Sequence, residues 1–433
     1  MNKRKVLVIS YYWPPAGGAG VQRWLKFVKY LREFGWEPVI YTVENGEFPV
    51  LDNSLEKDIP LGVTILKRPI FEPYDLYKKF VGQKKDEKIN AGFLAESKKN
   101  PLLEKISVFI RGNFFIPDAR MFWIKPSIKF LEIYLKNNPV DAIVSTGPPH
   151  SMHLIALGIK KKMNLPWLAD FRDPWTNIDY YDQLMLTPRA DRKHRELEKE
   201  VIHSCDALVV ISEGMKREFL NLGSTNPIVI TNGYDAEDFK GDFHAREKFT
   251  LSHIGSMNKD RNVSILWDVL EEICQENFKF KTDFVLQLVG KNDLAISKRL
   301  QSSCIPVEFI SYLPHQEVIQ YTSQSSVLLL PLNNTPNAGD ILTGKLFEYL
   351  AAGRPILCIG PPGGDCAKIL SETGNGIVID FADKEGMKKA ILSYYNSFKT
   401  NSLMTAGRGV DKYSRKELTK SLAQILDKLL VNA

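Results

Sequence analysis

The sequence predicts an α/β protein built as two doubly wound, Rossmann-like domains facing each other across a cleft. Three observations predict it. Short apolar runs alternate with helical patterns through the first half, the signature of a parallel sheet covered on both faces. The alternation breaks at Asn232-Gly233 and a polar, poorly periodic stretch over 234–248, then restarts. A chain of 433 residues is also long for a single core. The expected domains are 1–235 and 236–415.

The elements follow in order. Residues 5–12 read as a buried first strand, and 20–33 as a helix with Val21, Trp24, Phe27, Val28 and Leu31 on one face. Strands at 38–43 and 63–67 precede a basic, aromatic-rich helical segment. A strand at 141–145 leads into a helix at 150–163, and a strand at 167–170 is followed by a charged helix at 191–204. Strands at 207–211 and 228–231 end the first half. In the second half, strands are expected at 249–253, 284–289, 307–310, 327–330, 356–359 and 377–380. Helices are expected at 262–275, 316–323, 345–352, 384–398 and 416–430.

Composition narrows the class. Apolar content of 44% and charged content of 25% are those of an ordinary globular protein. The apolar run after the basic residues Lys3-Arg4-Lys5 is too short for a signal sequence, and Trp13-Pro14-Pro15 stands where a cleavage site would be needed. No stretch approaches the length of a membrane span. The five cysteines are scattered without C-x-x-C spacing, which argues against a disulfide framework or zinc site and fits a reducing cytoplasm. His150 and His153 are the closest histidine pair, too little for a metal site, so no metal is expected. Residues 66–136 hold fifteen Lys/Arg against eight Asp/Glu, which covers the whole net charge of +6. That segment is read either as amphipathic helices with snorkelling lysines or as a surface for an anionic membrane, giving a peripheral position on its inner face. No nucleic-acid motif accompanies the charge.

Ligands in doubly wound sheets lie outside the carboxyl ends of the strands, so the loops there carry the candidate site. Asp340-Ile-Leu-Thr343-Gly344-Lys345-Leu-Phe-Glu348 reads as a loop turning into a helix that closes on Gly353, a natural C′ residue. Fresh N–H groups at the helix start, together with Thr343, Gly344 and Lys345, suit a phosphate. The carboxylates of Asp340 and Glu348 suit sugar and ribose hydroxyls, and lie at most roughly 12 Å apart if the span is helical throughout. The alternative is a solvated loop and surface helix. Gly17 and Gly18, with Gly20, follow the first strand and open its helix; they form either a ligand loop or a tight turn, and lack the dinucleotide fingerprint. His150 follows another strand and is placed for proton exchange or sugar binding. Asp170 and Arg172 close the next strand, to hold each other or to bind an acceptor. Gly255, Lys259 and Arg261 leave the first strand of the second half and suit a diphosphate.

Taken together these residues resemble the retaining GT-B glycosyltransferases, most closely glycosyltransferase family 4. The features that carry the resemblance run nearly end to end. They are the glycine loop after Tyr11-Tyr12-Trp13-Pro14-Pro15, Ala169-Asp170-Phe171-Arg172-Asp173-Pro174-Trp175, Thr231-Asn232-Gly233-Tyr234-Asp235, Ile254-Gly255-Ser256, and Lys345-Leu346-Phe347-Glu348-Tyr349-Leu350-Ala351-Ala352-Gly353. The resemblance implies hexosyl transfer from a nucleotide-diphosphate sugar, a substrate rather than a cofactor, to a saccharide or lipid-linked acceptor. It also implies retention of configuration, no obligatory metal and a place in surface-polysaccharide or glycolipid assembly. Glu348 would bind the donor ribose, Asp340 the sugar hydroxyls, and Thr343 and Gly344 the diphosphate. With His150, the two acids make up the expected catalytic set. The C-terminal helix would pack back on the first domain. Three departures stand out: Asp340 replaces the usual glutamate, Gly255-Ser256 the usual glycine-arginine, and Gly147-Pro148-Pro149 a histidine of some relatives. Two other readings are a sugar-nucleotide epimerase or hydrolase on the same fold, and a non-catalytic nucleotide-sugar-binding protein.

Overall fold

The computed structural model describes residues 4–431 apart from 49, 73–100, 179, 242, 244, 245, 312 and 404. The chain divides into two compact units: one runs up to Thr231 and takes in the chain from Leu418, the other is Asn232–Glu417.

In the first unit the order is β1 (Arg4–Ile9), α1 (Ala19–Leu31), β2 (Trp36–Val43), β3 (Thr64–Arg68), α2 (Pro101–Phe114), α3 (Met121–Asn137), β4 (Ala142–Gly147) and α4 (Ser151–Met163). Then come β5 (Trp167–Phe171), α5 (Pro188–Ser204), β6 (Ala207–Val210), α6 (Glu213–Asn221) and β7 (Ile228–Val229). The seven strands are all parallel, in the order β3-β2-β1-β4-β5-β6-β7. Period-two alternation between two covered faces explains why β1 is apolar from Val6 to Ile9. Leu7 and Ile9 enter a core with Val39, Trp123, Met152 and Trp167. Val6 and Val8 enter the opposite one with Val21, Trp24, Phe27 and Trp36.

The second unit runs β8 (Phe249–Ile254), α7 (Ser264–Glu276), α8 (Phe278–Asp283), β9 (Phe284–Val289), α9 (Leu294–Gln301), β10 (Val307–Ile310), α10 (His315–Gln324) and β11 (Val327–Pro331). It continues with α11 (Gly344–Ala351), β12 (Ile356–Ile359), α12 (Asp365–Thr373), β13 (Gly376–Ile379) and α13 (Lys384–Lys399). Its six parallel strands follow the order β10-β9-β8-β11-β12-β13. Leu251, Leu286 and Leu329 face α7 and α13 in one core, while Ile254, Val289 and Leu330 face α11 and α12 in the other. The last helix, α14 (Arg415–Val431), places Leu418, Leu422, Leu426 and Leu429 in the same core as Val6, Trp24 and Trp36 of the first unit.

In both sheets the chain reverses its winding beside the first strand, between β1 and β4 and between β8 and β11. Those two switch points are where such sheets bind ligands. Among the described residues no helix is long and apolar enough to cross a membrane, and all five cysteines are free thiols. The basic segment over 66–136 is described only outside 73–100, through β3, α2 and α3.

Candidate functional site

In the second unit the site grows from two glycines. Gly255 ends β8 with φ +118° and its N–H donates to Val289 O at 2.6 Å. Gly290 ends β9 at the same φ, and a Cβ on it would stand 2.8 Å from Gly255 O. Only residues without side chains let these strand ends close on one another. The space beside Gly255 is taken by Lys345: a Cβ on Gly255 would lie 2.3 Å from its Cε and 2.6 Å from its Nζ. Lys345 enters from the first turn of α11. Thr343 caps that helix, its Oγ1 accepting from Lys345 N at 3.2 Å, and no acidic residue occupies the first turn. Gly344 faces open space.

Arg261 is fixed in the loop after β8. Its Nε donates to Asn333 Oδ1 at 3.0 Å and its Nη1 to Ser256 O at 2.9 Å. The loop itself is tied to the one after β11 by Asn334 N–H donating to Asp260 O at 2.9 Å. Lys259 is exposed. Burial, and then Arg261, push the Lys345 ammonium down to about 7, against the pull of Glu348. No carboxylate forms an ion pair with Lys345 among the described residues. Behind the loop His253 is buried, its Nδ1 3.1 Å from Leu329 O, and burial together with Lys345 and Arg261 keeps it well below its usual range. The site is therefore a basic corner whose lysine, among the described residues, has no ion-paired carboxylate, which is the electrostatic form of an anion site.

Glu348 lies one helical turn after Lys345, the i,i+3 spacing that puts both on one face. It is half-buried, and burial raises its carboxyl above the usual range although His315, Arg415 and Lys345 lower it. His315 Nε2 is 3.1 Å from Asp238 Oδ2. Asp340 is exposed, at the end of a 3-10 turn (Ala338–Asp340). The span from Asp340 to Glu348 is not helical throughout, as the 12 Å spacing assumed. Ile341 and Thr343 are extended, with ψ 117° and 143°, because α11 starts only after its cap. The sequence reading also missed α12. It begins in Pro361-Pro362-Gly363-Gly364, where a Cβ on Gly364 would stand 2.9 Å from Gly339 O, so this helix start packs on the turn that carries Asp340. The paired prolines and glycines were the available signal.

In the first unit Gly18 caps α1 with φ +91°, no side-chain cap and no acidic residue in the first turn. Gly17 donates its N–H to Val50 O at 2.9 Å. Arg172 reaches this loop: its Nη1 donates to Gly20 O at 2.9 Å, and Nη2 donates to Pro148 O. The pairing of Asp170 with Arg172, one of the two readings of this strand end, is not made. Asp170 is 1% exposed and its carboxylate accepts from Arg23 Nη2 at 2.7 Å, Trp24 Nε1 at 2.7 Å and Thr146 Oγ1 at 2.9 Å. Every lone pair pointing away from the backbone is occupied, so Asp170 positions α1 against β4 and is not placed to bind an acceptor. Arg23, fully buried, was missed because nothing local marks a partner 147 residues away.

His150 precedes α4 and lies flat on Trp175, with ring centroids 4.5 Å apart and planes at 4°. Its Nδ1 is buried with no hydrogen-bond partner. Burial, with His153 and Arg172 adding to it, lowers its pKa well below the usual range, so the ring is neutral. His153 is held inside, its Nδ1 2.8 Å from Ser145 Oγ, and burial lowers it to about 3. Gly147 has no room for a side chain, since a Cβ would meet His153 Nε2 at 2.5 Å. Trp175 Nε1 in turn donates to His194 Nδ1 at 3.1 Å, a support the sequence reading did not anticipate. Among the described residues no group of three or more His, Cys, Asp or Glu side chains is placed to hold a metal ion.

Comparison with known proteins agrees with this architecture. Residues 248–397 match the family described as "Glycosyl transferases group 1". No curated protein matches the chain. Among solved structures, sucrose-phosphate synthase from Thermosynechococcus elongatus is similar over 99% of this chain and 100% of that one, at TM-score 0.65 and 12% identity. The Anabaena protein HepE in complex with UDP is similar over 98% and 100%, at 0.61 and 13%. A UDP-N-acetylglucosamine 2-epimerase from Listeria monocytogenes, described as such only provisionally, is similar over 100% and 98%, at 0.55 and 11%. At these identities the likeness shows the fold, which is the two-sheet GT-B type.

Proposed function

We propose that the protein is a glycosyltransferase that takes a sugar from a nucleotide-diphosphate donor. The observation that carries this reading is Lys345 packed over Gly255 at the switch point of the second sheet, under the influence of Arg261 and, among the described residues, with no carboxylate in an ion pair with it. It lies within the stretch that matches the group 1 family. A diphosphate supplies the missing negative charge. Thr343, Gly344 and the opening N–H groups of α11 stand beside it as further donors.

In this reading Glu348 accepts the ribose hydroxyls, and its raised pKa reflects a half-buried carboxylate awaiting those donors. Asp340 takes the sugar hydroxyls, with a shorter reach than a glutamate. As the bond from the anomeric carbon to the diphosphate oxygen breaks, charge grows on the leaving phosphate, where Lys345, Arg261 and Lys259 meet it. The acceptor hydroxyl oxygen forms the new bond, and its proton leaves with the diphosphate. Such a reaction needs neither metal nor protein base, and retention of configuration belongs to the same reading. In the first unit this reading takes Gly17 and Gly18 as a ligand loop, and neutral His150 and Arg172 as acceptor contacts. The acceptor class is a saccharide or lipid-linked saccharide, and the setting is polysaccharide or glycolipid assembly at a peripheral membrane position. HepE was crystallised with UDP, which supports a uridine nucleotide as the first donor to try.

The likeness to an epimerase supports a second reading, in which donor is consumed without acceptor, although its TM-score is the lower at 0.55 against 0.65. Nucleotide release from UDP-sugars, with and without lipid-linked saccharides, separates the two. Release that requires acceptor is the expected result. Full turnover without one overturns the transferase reading, and thermal shifts that survive Lys345→Met and Glu348→Ala overturn the donor site itself.

A further inference from the structure

A chain of buried hydrogen bonds in the first unit determines which nitrogen of His150 carries its proton. It starts at Trp167 on β5, whose indole N–H can only donate and does so to Ser145 Oγ at 2.8 Å. Ser145 lies on β4, fully buried, and its oxygen is also 2.8 Å from His153 Nδ1. Since the oxygen already accepts from the indole, its own hydrogen goes to His153 Nδ1. Were the imidazole to donate instead, the hydroxyl hydrogen would be buried without an acceptor. His153 is neutral, held by burial at about 3, so its single proton sits on Nε2.

His153 Nε2 and His150 Nδ1 flank one glycine. A Cβ built on Gly147 at the end of β4 would meet the first at 2.5 Å and the second at 3.2 Å. Both nitrogens are buried, and neither has a hydrogen-bond partner. Two N–H groups converging on one enclosed spot would repel, whereas an N–H opposite a lone pair is attractive. His150 Nδ1 therefore keeps its lone pair, and the neutral ring carries its proton on Nε2. Stacking on Trp175, at 4.5 Å and 4°, holds the ring plane.

We propose that Ser145 and His153 are positioning residues that keep His150 a hydrogen-bond donor, so that it reads a lone pair on a ligand oxygen and takes no proton from it. With Nδ1 enclosed, a ligand can meet the ring nitrogens only at Nε2–H. The fitting partner is a sugar oxygen or a carboxylate oxygen that accepts. A general base at that nitrogen would need the lone pair where the chain of bonds puts the hydrogen. The assignment of this ligand to the acceptor side rests on the transferase reading, in which the proton leaves with the diphosphate. The tautomer does not rest on it.

The test is made on the free protein, without a sugar donor, so its failure and that of the transferase reading are distinguishable. The seven histidines are labelled with nitrogen-15, and the ring signals are assigned by their loss in His150→Gln, His153→Gln and His194→Gln. His194 serves as the internal reference, because its Nδ1 accepts from Trp175 Nε1 at 3.1 Å and its proton must be on Nε2. His150 and His153 should show the same pattern as His194, protonated at Nε2 and bare at Nδ1. Ser145→Ala should weaken that preference by about threefold to tenfold and give mixed signals at both rings. A proton on His150 Nδ1 in the parent overturns the proposal, as does exchange between both forms. A Ser145→Ala protein with both rings unchanged removes Ser145 from the chain and overturns its positioning role. The parent spectrum decides the tautomer whether or not that variant folds.

Discussion

The two switch points use the same topology and differ in how their buried charges are held. Beside β1, Asp170 is matched by Arg23 at 2.7 Å, the histidines beside it are buried and neutral, and Arg172 rests on the carbonyls of Gly20 and Pro148. Beside β8, Lys345 packs against a glycine with Arg261 lowering its pKa, and among the described residues no carboxylate is paired to it. The first arrangement is complete as folded. In the second, burial and Arg261 bring the Lys345 ammonium down to about 7. One strand order thus carries a paired aspartate at one switch point and, among the described residues, a lysine without an ion-paired carboxylate at the other.

The largest expected effect breaks the first arrangement. Asp170→Ala leaves Arg23 buried without its counter-charge and should cost about 3–5 kcal/mol in urea denaturation. A loss below about 1 kcal/mol would show that water or another acid takes over. Next, Lys345→Met should weaken nucleotide-sugar binding by about 1.5–3 kcal/mol in calorimetry while leaving stability unchanged or raised. Equal losses of binding and stability would make Lys345 a structural residue. Gly255→Ala forces a side chain at φ +118° into the lysine and should cost about 1–3 kcal/mol of stability, with affinity falling in parallel.

The smallest effect is in pH. With Lys345 near 7 in the free protein, bound diphosphate raises its pKa, so binding takes up a proton above that pH. Affinity should fall as pH rises from about 7, by at most about tenfold per unit, with a binding enthalpy that depends on the buffer. Lys345→Met should flatten the profile. The stability sign is the reverse: the unfolded chain holds the lysine proton up to about 10.4, so folding stability gains with pH between about 7 and that value. A pH-independent affinity in the parent would remove the proton from the mechanism.

Much of this was legible in the residues. The strands declared themselves because parallel sheets are apolar on both faces, and Thr343-Gly344-Lys345 declared a helix start because a threonine cap precedes an apolar stripe. What stayed hidden was of two kinds. Helices α6, α9 and α12 are short and largely polar, of 8 or 9 residues, and offer too few turns for periodicity to register. Long-range pairings such as Asp170 with Arg23, Gly255 with Lys345 and His150 with Trp175 join separate elements, and residue types alone leave the partner open. Asp170 with Arg172 was the nearest pairing in the chain and the wrong one, because β5 directs the aspartate inward while Arg172 lies beyond the strand end.

The placement of α14 bears on how the protein is made. Leu418, Leu422, Ala423, Ile425, Leu426 and Leu429 of α14 complete a core whose other buried members are all synthesised before Thr231. During translation the first unit therefore waits with that hydrophobic groove open while the whole of the second unit emerges. A chaperone that holds the groove has work to do only in that interval, and a fragment ending at Thr231 would present it permanently.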